Sequence, residues 1–322
     1  MNITMTNRQG KTLSVAISGQ DNAPVIVFSN SLGTDQGMWQ PQVATFEQQF
    51  KVVTYDTRGH GKSDVIEQTT VQNLAEDVID ILDGLNIEKA HFCGISMGGM
   101  TALWLGIHHA DRFHSITVAN SAAKIWNEEG WNTRADAVIE NGLADLVATT
   151  HTRWFSEQFD YQHDALAQRT IQSLATTPAL GYAESCRALA QADLSNEIQN
   201  IHIPTLVIAG ALDPVTTVDD GIFMQQQIQK SELAVIDAED VEHRGVEVTK
   251  VDGILRDVVA EVVGLSVFNA GLHARTGEPD GETGGVVVAP GPLLLGVRRP
   301  AELGEEHDER IFEQAALLHV FQ

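Results

Sequence analysis

Five short apolar runs, each closed by turn residues, constrain this chain more than any other feature. They are residues 24–28 (Pro-Val-Ile-Val-Phe), 51–55 (Lys-Val-Val-Thr-Tyr), 90–93 (Ala-His-Phe-Cys), 115–119 (Ser-Ile-Thr-Val-Ala) and 205–209 (Thr-Leu-Val-Ile-Ala). Most of their residues are apolar or β-branched, the pattern of parallel strands covered on both sides. Helical stripes stand between them. Leu74, Val78, Ile81, Leu82 and Leu85 share one face of residues 71–85, and residues 96–109 read as another helix. Strand and helix alternating in this way predict an α/β fold: a mostly parallel sheet with helices on both faces. Residues 121–190 interrupt the alternation. They read as all-helical and predict a helical cap over the C-terminal edge of the sheet, leaving residues 1–120 and 191–265 as the core.

The most specific local signal is Gly94-Ile95-Ser96-Met97-Gly98-Gly99, which follows the run ending at Cys93 and opens a helix. A G-x-S-x-G pattern arises by chance, but between a strand and a helix it describes a nucleophile elbow. Small residues at 94 and 98 let the backbone turn sharply and hold Ser96 exposed above the sheet edge. The helix N-terminus favours negative charge developing there. The plainer reading makes Ser96 an N-cap, a role serine often fills.

A nucleophilic serine needs two N–H donors for the oxyanion, a base, and a carboxylate to orient that base. The Met97 N–H is the expected first donor. The second is expected from Leu32, in the loop Ser29-Asn30-Ser31-Leu32-Gly33 after the 24–28 run. Asp213, in Ala209-Gly-Ala-Leu-Asp213-Pro214, follows a strand and so reaches the same sheet edge as Ser96. Alternatively, Asp213 before proline simply starts a turn. The segment Tyr55-Asp-Thr-Arg-Gly-His-Gly-Lys-Ser-Asp64 is read as structural, a tight loop fixed by an Asp–Arg pair, with His60 preceding the nucleophile and not acting as base.

Composition narrows the partners. With 20 Lys and Arg against 44 Asp and Glu, the net charge is −24, so nucleic acid and anionic membrane surfaces are not expected as partners. An anionic ligand must then meet a local cation. No apolar run approaches the roughly 18 residues of a membrane span, and the first residues lack a secretory h-region. Two cysteines, Cys93 and Cys186, make no disulfide framework and suit the cytoplasm. CxxC, HExxH and phosphate-cradling glycine loops are absent, so neither a metal nor a cofactor is expected.

The elbow, the loops around Leu32 and Asp213, Met38-Trp39, residues 56–64 and Ala119-Asn-Ser-Ala-Ala-Lys124 together make residues 1–240 resemble the 3-oxoadipate enol-lactonases of the α/β-hydrolase superfamily. The Ser-Asn-Ser-Leu-Gly-Thr loop and the cap beginning Lys124-Ile-Trp126 carry the likeness to that subfamily. The resemblance implies an α/β-hydrolase fold with a cap and a Ser-Asp-His triad. It also implies cofactor-free hydrolysis of a small anionic lactone in the β-ketoadipate branch of aromatic catabolism. Arg134, Arg153 and Trp154 of the cap are the candidate substrate contacts.

One departure stands out. The family places its histidine in a segment like Val-Ile-Asp-Ala-Ser-His; here Val235-Ile-Asp-Ala-Glu-Asp240 puts Asp240 in its place. A solvated carboxylate, with a pKa of about 3.9, is too weak a base for a serine hydroxyl. His243, three residues on, is the candidate base, because three extended residues span roughly 10 Å; otherwise it is an exposed loop histidine. His273, His307 and His319 stand further along. Composition changes at the same point: the first 240 residues hold 31 Asn and Gln, the last 82 only three. Residues 241–322 therefore read as a piece with a different history. An apolar stripe at 249–265 is expected to cover the sheet, and 266–322 is expected to be poorly ordered, with a short helix near 311–320. Two rival readings remain: an impaired homologue that only binds a small carboxylate, and a carboxylesterase of the same fold. Oligomeric state is open.

Overall fold

The computed structural model describes residues 1–157 and 159–236. The readings for residues 237–322, including Asp240, His243, the 249–265 stripe and the tail, lie outside the described residues.

In chain order the elements are β1 (Asn2–Thr6), β2 (Thr12–Gly19), β3 (Val25–Ser29), α1 (Gln40–Phe46), β4 (Lys51–Tyr55), α2 (Val71–Gly84), β5 (Ala90–Ile95), α3 (Met97–His108) and β6 (Phe113–Ala119). There follow α4 (Glu128–Asn141), α5 (Ala144–Thr149), α6 (His151–Trp154), α7 (Ala165–Thr176), α8 (Ala179–Gln191), β7 (Thr205–Gly210), α9 (Val218–Gln227) and β8 (Ser231–Ile236). The strands form one sheet in the order β1-β2-β4-β3-β5-β6-β7-β8. β1 and β2 pair antiparallel with their neighbours, and every pair from β4 to β8 is parallel.

The pair β1–β2 has no counterpart among the five apolar runs of the sequence. Its signal is weak because one face is wet: Ile3 and Met5 alternate with exposed residues and only partly pack on the core. The central strands are covered on both sides. Val27 and Val207 enter one apolar cluster with α2 and α3, while their neighbours Ile26, Phe28, Leu206 and Ile208 enter another on the opposite face. Helix α2 starts where expected because Thr70 and Asn73 close a reciprocal capping box.

Strand order reverses between β3 and β5. The loops leaving their C-terminal ends therefore part, opening the crevice where ligands bind in open α/β sheets. The two loops at that crevice carry Leu32 and Ser96. Five helices, α4 to α8, lie between β6 and β7 in the chain, and α4 packs along α8. Among the described residues no helix is long and apolar enough to cross a membrane.

Candidate active site

Ser96 sits at φ 54°, ψ −115°, between the last residue of β5 and the first of α3, and its side chain makes no capping bond to the helix. A non-glycine residue held there is strained, and such strain concentrates at functional sites. The surroundings enforce it. The Ser96 N–H donates to Ala119 O at 2.9 Å, and the Ser121 hydroxyl donates to Ser96 O at 2.8 Å. A Cβ on Gly94 would overlap the Gly98 carbonyl, and one on Gly98 would overlap the Ser29 carbonyl. Glycine at both positions is thus a matter of backbone contact, and Ser96, though it stands at the N-cap position of α3, does not use its side chain to cap the helix.

The Met97 N–H is the first of α3 and has no acceptor one turn back. The loop after β3 is tied to the same helix, because the Gly98 N–H donates to Asn30 O at 3.1 Å. Asn30 is itself held twice: its Nδ2 donates to Tyr55 O at 2.9 Å and its Oδ1 accepts from Trp39 Nε1 at 3.0 Å. Among the described residues the Leu32 N–H has no hydrogen-bond partner. The Leu32 and Met97 amides are thus both unengaged, one in the loop after β3 and one directly beside Ser96.

Asp213 does start a turn: its Oδ1 accepts from the Val215 and Thr216 N–H groups at 2.8 and 3.0 Å. It also faces the site. Its Oδ2 accepts from Asn120 Nδ2 at 3.0 Å and from the Thr216 hydroxyl at 2.8 Å. Four donors hold one carboxylate in one orientation. Among the described residues no histidine is hydrogen-bonded to Ser96 or to Asp213, and the candidate base His243 lies outside them. The Cys93 thiol beneath the elbow is pushed up to about 12 by burial, as is that of Cys186, so neither is a nucleophile.

One cavity of about 250 Å³ brings together Ser96, Leu32, Asp213, Arg134, Arg153 and Trp154. Its roof also holds Trp126, Trp131 and Tyr182, which the sequence reading passed over. The Arg134 guanidinium lies 5.0 Å from the ring centres of both Trp126 and Trp131. Among the described residues neither Arg134 nor Arg153 pairs with a carboxylate. Burial, and then the charge of Arg134, lowers the pKa of Arg153. Burial pushes the Tyr182 hydroxyl up to about 12, so it stays a hydrogen-bond donor at neutral pH.

The expected Asp–Arg pair inside residues 56–64 is corrected. Arg58 reaches across to Asp77 on α2, with Nε to Oδ2 and Nη2 to Oδ1 both at 2.7 Å, and both side chains are buried. Asp56 instead accepts from the Gln36 and Lys62 N–H groups at 2.9 Å each. Two backbone donors, one from its own loop and one from Gln36 after β3, satisfy Asp56 and leave Arg58 to the buried acid on α2. Asn120 and Thr216, the partners of Asp213, were also missed. Their signal was position, since polar residues just past the C-terminal ends of strands line such crevices.

A strained serine at a strand–helix turn, two unengaged amides in the adjoining loops and a fixed carboxylate on a parallel sheet are the parts of a hydrolase site. The chain belongs to the α/β hydrolase fold family, whose sequence pattern matches residues 24–243. Two of its curated relatives are 3-oxoadipate enol-lactonases, and more distant ones, 25–29% identical, are named putative carbamate hydrolases. It is 73% identical over 236 residues to 3-oxoadipate enol-lactonase 1 of Acinetobacter baylyi, covering 73% of this chain and 89% of that one. It is 46% identical over 234 residues to enol-lactonase 2 of the same organism, covering 72% and 88%. Among solved structures, the enol-lactonase from Burkholderia xenovorans is 37% identical, with a TM-score of 0.71 over 73% of this chain and 91% of that one.

Proposed function

We propose that this chain opens 3-oxoadipate enol-lactone to 3-oxoadipate, and that the small anionic lactone is its partner. Ser96 Oγ attacks the lactone carbonyl while the Leu32 and Met97 N–H groups take up the charge on the oxygen. The ring C–O bond then breaks, the enolate leaves and takes up a proton at carbon as the ketone forms, and water hydrolyses the acyl-serine. Asp213 orients the base, a role we assign to His243. Arg134 and Arg153 hold the carboxylate of the substrate, and Trp154 walls the pocket. A cytoplasmic location suits two unpaired, buried cysteines.

One observation carries the reading. In a chain of net charge −24, two guanidinium groups without acid partners among the described residues face the same cavity as the strained serine. Burial and the charge of Arg134 both weigh against the charge on Arg153, and a bound anion offsets that cost. A neutral ester would leave that charge uncompensated, which separates this reading from a general carboxylesterase.

Loss of the lactone's ultraviolet absorbance on adding the protein is the direct test. We expect turnover that Ser96→Ala abolishes, and a clear preference for the lactone over a neutral ester of the same size. Turnover in an Asp240→His variant alone would overturn the proposal in favour of a carboxylate-binding protein. Equal turnover of neutral esters would make the chain an esterase.

A further inference from the structure

His60 is fully buried in the loop between β4 and α2, a motif that the catalytic reading leaves unused. Both of its ring nitrogens are engaged. Nδ1 lies 3.1 Å from the Arg58 carbonyl oxygen, and Nε2 accepts from the Gly33 N–H at 2.9 Å. A carbonyl oxygen can only accept, so Nδ1 carries the proton; an amide can only donate, so Nε2 offers its lone pair. Only the neutral Nδ1–H tautomer satisfies the two bonds together. A protonated ring would set one N–H against another.

Gly33 directly follows the expected oxyanion donor. It sits at φ +82°, a conformation that suits glycine, and its amide is buried. The peptide on the other side of Leu32 is also held, because the Ser31 carbonyl accepts from the Thr34 hydroxyl at 2.9 Å and the Thr34 N–H at 3.3 Å. In a trans peptide the N–H points opposite to its carbonyl, so this bond sets the direction of the Leu32 N–H. The cap closes the arrangement from above. The Ser173 hydroxyl donates to Gly33 O at 3.4 Å, and a Cβ on Gly33 would press on Leu174 and Tyr182.

We infer that His60 is a positioning residue: its neutral imidazole holds Gly33, and through Gly33 sets the Leu32 amide that meets the reacting oxygen. His60 touches neither substrate nor Ser96 in this role. Burial lowers its pKa, which agrees with a ring that must stay uncharged. Without the acceptor at Nε2, the Gly33 N–H would be buried with no partner, and the loop would turn to find one.

The inference rests on the acyl-transfer reading of Ser96, and its test has an arm that does not need turnover. Nitrogen-15 NMR of the wild-type protein at neutral pH should show His60 with a protonated Nδ1, an unprotonated Nε2, and a coupling from Nε2 to the Gly33 amide. A protonated Nε2, or no coupling, would overturn it whether or not the chain is active. The second arm compares His60→Phe, which removes the acceptor, with His60→Gln, which can restore one. We expect His60→Phe to lower kcat about 100-fold, the scale of a misplaced oxyanion donor. KM should change less than threefold, and affinity for a boronic acid inhibitor should fall in step with kcat. His60→Gln should recover at least tenfold. A loss of thermal stability with kcat and inhibitor affinity intact would show that His60 only supports the fold.

Discussion

Ser96 and Leu32 meet the cavity from the ends of β5 and β3, where the groups that matter are backbone amides and one short hydroxyl. Arg134, Arg153 and Tyr182 meet it from α4, α6 and α8 with long side chains that line it. The lower side is crowded by main chain, as the glycines at 94 and 98 show, and it has no room to adjust. The upper side is held by stacking of Arg134 against Trp126 and Trp131, and Trp126 is itself 48% exposed. Rigid geometry suits the step in which charge develops, and adaptable side chains suit recognition of a ligand before it reacts.

If that division holds, damage below should appear in kcat and damage above in KM. Asp213→Asn should have the largest effect of four substitutions, lowering kcat about 1,000-fold with KM little changed. The amide keeps the size of the carboxylate but places a donor where four donors already converge, and it cannot stabilise a charged base. Steady-state kinetics on the purified variant check this; a KM effect alone would remove Asp213 from the chemistry.

Gly98→Ala should follow, with kcat down about 100-fold. Its methyl group must displace the Ser29–Asn30 backbone, and the oxyanion loop moves with it. A crystal structure of the variant should show that shift. Wild-type kcat in a folded variant would break the comparison, because it would mean that the lower side can adapt.

Arg134→Gln should raise KM about tenfold and leave kcat within a factor of three, the scale of one charge-assisted hydrogen bond. The increase should shrink for an uncharged ester. Trp126→Ala should have the smallest effect, raising KM about threefold by removing one face of the stack around Arg134. Trp126 is held at φ 58°, so Trp126→Gly should be at least as stable as the alanine variant, and thermal unfolding of the pair tests it.

The two sides also differ in how far the amino-acid sequence disclosed them. The elbow, the oxyanion loop and the turn at Asp213 each occupy six or so consecutive residues, and the reasons for them are local: small residues at a sharp turn, an apolar strand before, a helix after. Arg134, Arg153 and Trp154 were picked out only as polar or aromatic residues in a helical segment. The stacking on Trp126 and Trp131, and the place of Tyr182, depend on how α4, α6 and α8 pack, which no local pattern states. The loop of residues 56–64 shows the same limit. Its turn was legible, but the partner of Arg58 was not, because Asp77 lies 19 residues away on α2.

What the sequence determined by itself was the layered α/β fold and the place of Ser96 at a sharp strand–helix turn, since apolar periodicity and backbone sterics act between near neighbours in the chain. Only the tertiary structure decided that the carboxylate paired with Arg58 is that of Asp77, that Asn120 and Thr216 hold Asp213, and that His60 turns its lone pair to Gly33. Those choices depend on which groups are left without partners once the sheet and its helices have packed. A hydrogen bond or ion pair between distant segments goes to whichever donor and acceptor meet in the right direction away from water, and that is a property of the assembled fold.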